Sequence, residues 1–132
     1  MATLRVDHNE MDWASAVSFY GPAAVQDGRD IVQLKVLSDR RQEGGGIAWL
    51  VRFTPPPGKL IKIIATALSD EHVFNLQGGR TTKSGERTHG GSYSLNPKGQ
   101  PHSAMIAQET VGLVVYAGEP DRVELLELVD VA

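Results

Sequence analysis

The sequence predicts an all-β domain, folded as a sandwich or a barrel. Short stretches rich in Val, Ile, Leu and Thr read as strands. The 14 Gly and 7 Pro are spread between these stretches and mark turns. No segment longer than about 10 residues keeps the apolar spacing of a helix. A chain of 132 residues with 41% hydrophobic residues suits one domain with a real core.

The predicted strands follow in chain order over residues 31–37, 47–53, 60–68, 71–77, 92–96, 102–108, 111–117 and 123–131, with a hairpin over 81–88. Glycine and proline runs at 44–46, 55–58 and 97–99 supply the turns between them. Residues 123–131 could instead form a short helix, because their Glu and Leu residues have good helix propensity. Residues 1–30 are predicted to be an N-terminal arm that packs on, or pairs with, a barrel formed by residues 31–132.

The composition excludes several kinds of site and argues against several kinds of partner. The net charge is −3 and no Lys/Arg run occurs, which favours neither nucleic acid nor an anionic membrane as partner. The absence of Cys excludes disulfides, thiolate metal ligands and a Cys nucleophile. Residues 1–12 are polar and do not have the pattern of a secretory signal. No apolar run approaches the ~20 residues that span a bilayer. We therefore expect a cytoplasmic protein.

One segment carries a specific motif. Residues 91–102 read GSYSLNPKGQPH, which is Gly, five residues, Pro, one residue, Gly, two residues and His. This segment is similar to the second sequence motif of the cupin superfamily, up to its histidine, His102. The family pattern then places Asn four residues later, where this chain has Ile106.

The spacing of the first cupin motif is also present, but its two metal-binding histidines are replaced. Gly58 begins it, and the segment from Glu71 to Gly78 ends it. The two metal-binding histidines of the family fall on Ile64 and Thr66 here. Counted back from Glu71 with a shorter loop, they fall on Ala65 and Ala67. Under either count, neither position can bind a transition metal.

The flanking sequence also resembles the ChrR-like and acetylacetone-dioxygenase-like group of cupins. These proteins have a Trp near the start and a Leu-x-Arg-Phe strand end before a Pro-Gly turn. Here those features are Trp13, residues 50–53 and residues 57–58, so the resemblance covers residues 13–116. It implies an RmlC-like double-stranded β-helix, which is a jelly-roll barrel.

The resemblance implies a degenerate metal site. Side chains alternate between the two faces of a strand, so the family's His-x-His pair shares an interior with the Glu and the last His. Of these four donors the chain keeps Glu71 and His102. We therefore expect no cofactor. If a divalent transition metal does bind, Glu71 and His102 are its predicted ligands, and His89 or a partner chain would have to add a third.

Without a metal, Glu71 and His102 become candidate catalytic residues. Imidazole titrates near neutral pH and can act as a general acid or base. A neighbouring carboxylate would form an ion pair or a proton-relay dyad with it. His72 should point to the opposite face, because it follows Glu71 directly. Five further residues are predicted to line a ligand pocket: Ile64, Thr66, Asn75, Tyr93 and Ile106.

Three functions remain open at this point. The first is a cupin that binds a small organic molecule and catalyses a metal-independent isomerase, cyclase or lyase reaction. The second is a divergent metal-dependent enzyme of the dioxygenase type. The third is a binding or sensor module without catalysis. The resemblance further implies a homodimer.

Overall fold

The computed structural model describes residues 2–131 and is built almost entirely of β-strands. The strands in this part of the chain are β1 (Ala14–Ser15), β2 (Val25–Gln26), β3 (Arg29–Asp30), β4 (Val32–Asp39), β5 (Ile47–Phe53), β6 (Lys59–Thr66), β7 (Glu71–Gln77), β8 (Tyr93–Asn96), β9 (Pro101–Ile106), β10 (Thr110–Tyr116) and β11 (Arg122–Asp130). One short helix, α1 (Val17–Tyr20), and three 3₁₀ turns (His8–Glu10, Pro22–Ala24 and Arg41–Glu43) complete it. The predicted all-β jelly roll is confirmed.

The strands form two facing antiparallel sheets and a small hairpin. The larger sheet has six strands in the order β1-β4-β5-β10-β7-β8, and the smaller has three in the order β11-β6-β9. Strands β2 and β3 form a separate two-stranded sheet. Apart from β4–β5 and β7–β8, the neighbouring strands of these two sheets are not consecutive in sequence, and the chain crosses repeatedly from one sheet to the other. This crossing brings the ends of β7, β9 and β10 to one side of the interior.

The core lies between the two sheets and follows strand alternation. On β5, Trp49, Val51 and Phe53 are buried, and on β6 so are Ile61 and Ile63. Burying side chains of this size contributes about 1.5–3 kcal/mol each. These apolar contacts fix which face of each strand points inward.

The N-terminal segment joins this architecture at one edge. Strand β1 pairs with β4, where Ala14 lies opposite Leu34. The helix that follows places the ring of Phe19 4.8 Å from that of Trp49, and the ring of Tyr20 6.2 Å from it. Residues near the N-terminus therefore add an edge strand to the larger sheet and pack on its core. The domain boundary at residue 30 stays a prediction.

At two places the structure decides or alters what the sequence predicted. Residues 122–130 are a strand and not the alternative helix, because β11 pairs with β6 along its length, with a bulge between Val123 and Leu125. Pairing with a neighbouring strand outweighs the helix propensity of the Glu and Leu residues. The hairpin over 81–88 is reduced to one bridge, Thr81 to Arg87, and Thr81 also bridges to Met105 on β9.

The outer face of the larger sheet is unusually apolar near its β8 edge. Its exposed large side chains are Phe74, Leu76, Tyr93, Leu95 and Val115. Exposed apolar patches of this kind are typical of protein interfaces. The homodimer stays a prediction. Among the described residues, no helix is both long enough and apolar enough to cross a membrane.

Candidate functional site

Glu71 and His102 meet in the space between the two sheets. Glu71 is the first residue of β7 in the larger sheet, and His102 is the second residue of β9 in the smaller one. The His102 Nε2 atom lies 3.4 Å from Glu71 Oε1. The Glu71 residue is only 5% exposed. The motif histidine and the motif glutamate therefore share one interior site.

Asp121 joins this pair from the turn between β10 and β11. Its Oδ2 atom lies 2.7 Å from His102 Nε2, and its side chain is 8% exposed. One potential ligand atom each from Glu71, His102 and Asp121 lies within 4.8 Å of the others. Sequence reasoning missed Asp121, because it lies in a turn with no motif spacing to either partner. His89, the alternative third donor, is exposed and bonds to the Gly90 carbonyl.

The strands on either side of β7 hold Glu71 in place. In the larger sheet, Tyr116 and Asn96 are its direct neighbours on β10 and β8. The Asn96 Nδ2 atom donates a 2.7 Å hydrogen bond to Glu71 Oε1. Tyr116 is also buried, and its proximity lowers the pKa of the same carboxyl. Strand register therefore places both of these neighbours beside the buried carboxyl group.

The surroundings of Glu71 and His102 shift the pKa values of these two groups. Burial and the negative charge of Asp121 raise the pKa of Glu71, and the charge of His102, with the proximity of Tyr116 and the hydrogen bond from Asn96, only partly opposes this. Burial alone would lower the pKa of His102. The hydrogen bond to Asp121 and the charges of Glu71 and Asp121 outweigh that effect, so the pKa of His102 is raised. His102 therefore keeps its proton to a higher pH than an ordinary His, with Asp121 as its hydrogen-bond partner.

A cavity of about 560 Å³ opens beside His102. Along β7 and β8 its wall is formed by inward-facing Val73, Asn75, Ser94 and Asn96. A much smaller cleft of about 30 Å³ lies deeper and contains Glu71 and Asp121. His102 and Arg80 line both spaces. The histidine ring thus stands between an open cavity and the acidic pair.

The register of β6 decides which residues replace the family's two histidines. Ala65 lies opposite His102 in the β6–β9 ladder, and Ala65 and Ala67 are both buried. The shorter loop count therefore applies, since these alanines face the site. Ile64 and Thr66 have the other orientation. Ile64 still lies at the rim of the cavity, but the Thr66 hydroxyl bonds to Glu124 and does not line it.

Of the other three predicted pocket residues, one lines the cavity and two do not. Asn75 is 2% exposed and lines it. Tyr93 is 56% exposed on the outer face, where its hydroxyl lies 2.6 Å from His72 Nδ1. Ile106 is fully buried opposite Ile61 in the core, away from the cavity. Tyr93 and Ile106 therefore do not line this cavity, and neither does Thr66.

The cluster also fits a metal ion as a minimal site. One imidazole nitrogen and two carboxylate oxygens form a mixed donor set of the kind that divalent Fe, Mn or Zn accepts. Glu71, His102 and Asp121 would hold such an ion, and the alanines at 65 and 67 would leave its other positions to water or substrate. A bound ion would act there as a Lewis acid.

The chain matches no family model and no curated protein. Among solved structures it is similar to a protein of unknown function with a cupin-like fold from Ralstonia eutropha, with a TM-score of 0.66 and 17% identity over 89% of this chain and 68% of the other. A putative acetylacetone dioxygenase from Methylibium petroleiphilum has a TM-score of 0.66 and 14% identity, covering 93% and 88%. KdgF from Halomonas sp. has a TM-score of 0.61 and 16% identity, covering 90% and 96%. The sheet topology and these likenesses together identify the fold of the chain as a cupin-like jelly roll.

Proposed function

We propose that the cavity binds a small organic molecule and that His102 moves a proton on it without a metal, in a reaction of the isomerase, cyclase or lyase type. The observation that carries this proposal is the position of His102. Its Nε2 atom is held by Asp121 at 2.7 Å while the ring lines the open cavity. A histidine oriented by a carboxylate and accessible to a ligand is the usual arrangement of a general acid–base group.

Each residue of the cluster has a separate role in this proposal. In its neutral form His102 takes a proton from an acidic C–H of the bound molecule, and as imidazolium it returns that proton to the same or a neighbouring atom. Asp121 orients the ring and stabilises the imidazolium. Glu71 keeps its own proton to a higher pH than an ordinary Glu, which limits the negative charge around His102. A positioned acid–base group of this kind contributes ~10²–10⁴-fold in rate.

Solvent exchange tests this step directly. Protein stripped of metal with EDTA would first be screened by thermal shift against small acids, sugars and aromatics. The stabilising molecules would then be incubated with it in D₂O and followed by NMR. We expect deuterium to enter one carbon of a bound molecule, and we expect His102→Gln to slow this exchange at least ~100-fold. His89→Gln, on the exposed loop, is the matched control and should exchange like the wild type.

Several outcomes of the exchange experiment would contradict the proposal. Exchange that continues in His102→Gln would assign the proton transfer to another group. Binding without any exchange would favour the non-catalytic binding or sensor module. The metal-dependent, dioxygenase-like alternative rests on the Glu71, His102 and Asp121 donor set. It requires turnover that EDTA abolishes and a divalent metal restores.

The pKa of His102 should depend on Asp121. Because the hydrogen bond and the charge of Asp121 raise this pKa, Asp121→Asn is expected to lower it. The change is measured by NMR titration of the ring resonances in both proteins. Asp30→Asn, on the exposed β3 strand, serves as a control of equal charge and should leave the titration unchanged. An unaltered His102 titration in Asp121→Asn would show that the two side chains are not paired.

A further inference from the structure

Arg80 is a cation in the cavity wall that forms no ion pair with an acidic side chain of the described residues. None of the ion pairs formed by residues 2–131 includes it. Its Nη2 atom is buried and has no hydrogen-bond partner among the described residues. Leaving a buried donor unpaired is unfavourable, and more so when the donor is charged. The guanidinium therefore favours an anion that enters the cavity.

The fold fixes Arg80 without using its guanidinium donors. Its backbone N–H donates to Thr88 Oγ1 at 3.1 Å, and the Thr88 N–H donates to the Arg80 carbonyl at 2.9 Å. The guanidinium carbon lies 5.5 Å from the centroid of the Phe53 ring, a cation–π contact. The hydrogen bonds within residues 2–131 do not use the N–H groups of this guanidinium, so these groups remain available for a planar acceptor such as a carboxylate.

Asn75 adds an unused acceptor to the same cavity. Its Nδ2 atom donates to the Gly78 carbonyl at 2.8 Å. A carbonyl can only accept, so this bond determines which end of the amide is the nitrogen. The other end, Oδ1, is buried and has no partner within residues 2–131. An acceptor oxygen in a cavity wall fits a hydroxyl group of a ligand.

The geometry points to a small organic carboxylate that carries at least one hydroxyl group as the ligand of this cavity, with the carboxylate on Arg80 and a hydroxyl on Asn75. The inference rests on the cavity of the proposed function and names its substrate class. Two inward residues of the β8 side, Ser92 and Ser94, offer further hydroxyl partners. Such a ligand would lie beside His102, which lines the same space.

Three probe molecules separate the two parts of this recognition. Gluconate has a carboxylate and hydroxyls, sorbitol has the hydroxyls without the carboxylate, and hexanoate has the carboxylate without the hydroxyls. Binding would be measured by isothermal titration calorimetry on the metal-stripped full chain. We expect gluconate to bind at least ~10-fold more tightly than either other probe, since a charged hydrogen bond contributes about 1.5–3 kcal/mol.

Arg80→Gln should weaken gluconate binding ~10- to 100-fold and leave sorbitol binding unchanged. Arg87→Gln is the matched control, because Arg87 belongs to the same loop and is exposed. Circular dichroism checks that Arg80→Gln is folded. If the variant does not fold, the same question is tested by NMR on the wild-type protein. Gluconate should shift the Arg80 Nε–H resonance, and sorbitol should not.

Gluconate that binds no better than sorbitol, or equally well to Arg80→Gln, overturns the assignment. The assignment is also overturned if none of the three probes binds. These results leave the proposed proton transfer intact, because that is judged separately by deuterium exchange in His102→Gln. Conversely, gluconate could bind through Arg80 in a protein that shows no exchange, which would contradict the proposed function alone.

Discussion

Glu71→Gln is expected to be more stable than the wild type at pH 8, by roughly 1–3 kcal/mol in the free energy of unfolding. The wild-type carboxyl is buried beside Asp121, so its ionisation at this pH is costly. The amide keeps the size of the side chain and can still accept the hydrogen bond from Asn96. Urea unfolding followed by fluorescence measures the difference.

The raised pKa values determine in which direction the stability of the protein changes with pH. The folded pKa of Glu71 lies above the ordinary value of 4.5, so its contribution to stability is complete below pH 4.5 and is lost as pH rises through the folded pKa. The raised pKa of His102 acts in the same direction, from its ordinary value of 6.5 upward. Wild-type stability should therefore fall with rising pH, and it should fall less steeply in Glu71→Gln.

Glu127→Gln is the matched control for this substitution. Glu127 is exposed on β11, so the same change of charge should leave stability nearly unaltered at both pH 5 and pH 8. A Glu71→Gln protein that is less stable than the wild type at pH 8 would mean that the ionised carboxylate is a net stabilising partner of His102. The protonation scheme of the cluster would then be wrong.

Gly78→Ala is expected to destabilise the protein by about 3 kcal/mol or more. Gly78 has a φ of +73°, and a Cβ atom there would lie 2.2 Å from the Glu109 carbonyl oxygen. Backbone strain and a clash with backbone therefore act together. The Gly78 carbonyl also accepts the hydrogen bond that orients Asn75, so the cavity wall should be disturbed as well.

Gly85→Ala separates the two effects. Gly85 belongs to the same loop and has a φ of +90°, but a Cβ atom there would meet nothing within 4 Å. It should cost only the strain of the left-handed conformation, about 1 kcal/mol. Both proteins would be compared with the wild type by urea unfolding. Equal losses at the two positions would refute the close approach of Gly78 to the strand that begins at Thr110.

Strand and turn chemistry allowed most of the fold to be predicted. The apolar alternation of residues 47–53 and the glycine and proline turns indicated strands that the structure contains, with ends that differ by one or two residues. The motif around His102 was specific enough to indicate the jelly roll. Residues 122–130 were less certain, because their composition suits a helix and only pairing with β6 makes them a strand.

Alternation could not predict which face of β8 points inward. Tyr93 and Leu95 are its apolar residues, yet they lie on the outer face, and the polar residues Ser94 and Asn96 face the cavity. In most strands the apolar face is the buried one. Here the register with β7 places Asn96 beside Glu71, which reverses that rule. This reversal explains why Tyr93 does not line the pocket.

The sequence by itself determined the strand pattern, because local spacing and side-chain alternation carry that information. Its resemblance to the cupin motifs implied the jelly roll and the pairing of Glu71 with His102. Only the tertiary structure decided that Asp121 completes the cluster and that Ala65, rather than Ile64, faces it. Asp121 lies in the turn before β11 and reaches His102 across β6, which separates β11 from β9 in the smaller sheet. Contacts between strands that are distant in the chain have no fixed sequence spacing, so no sequence pattern predicts them.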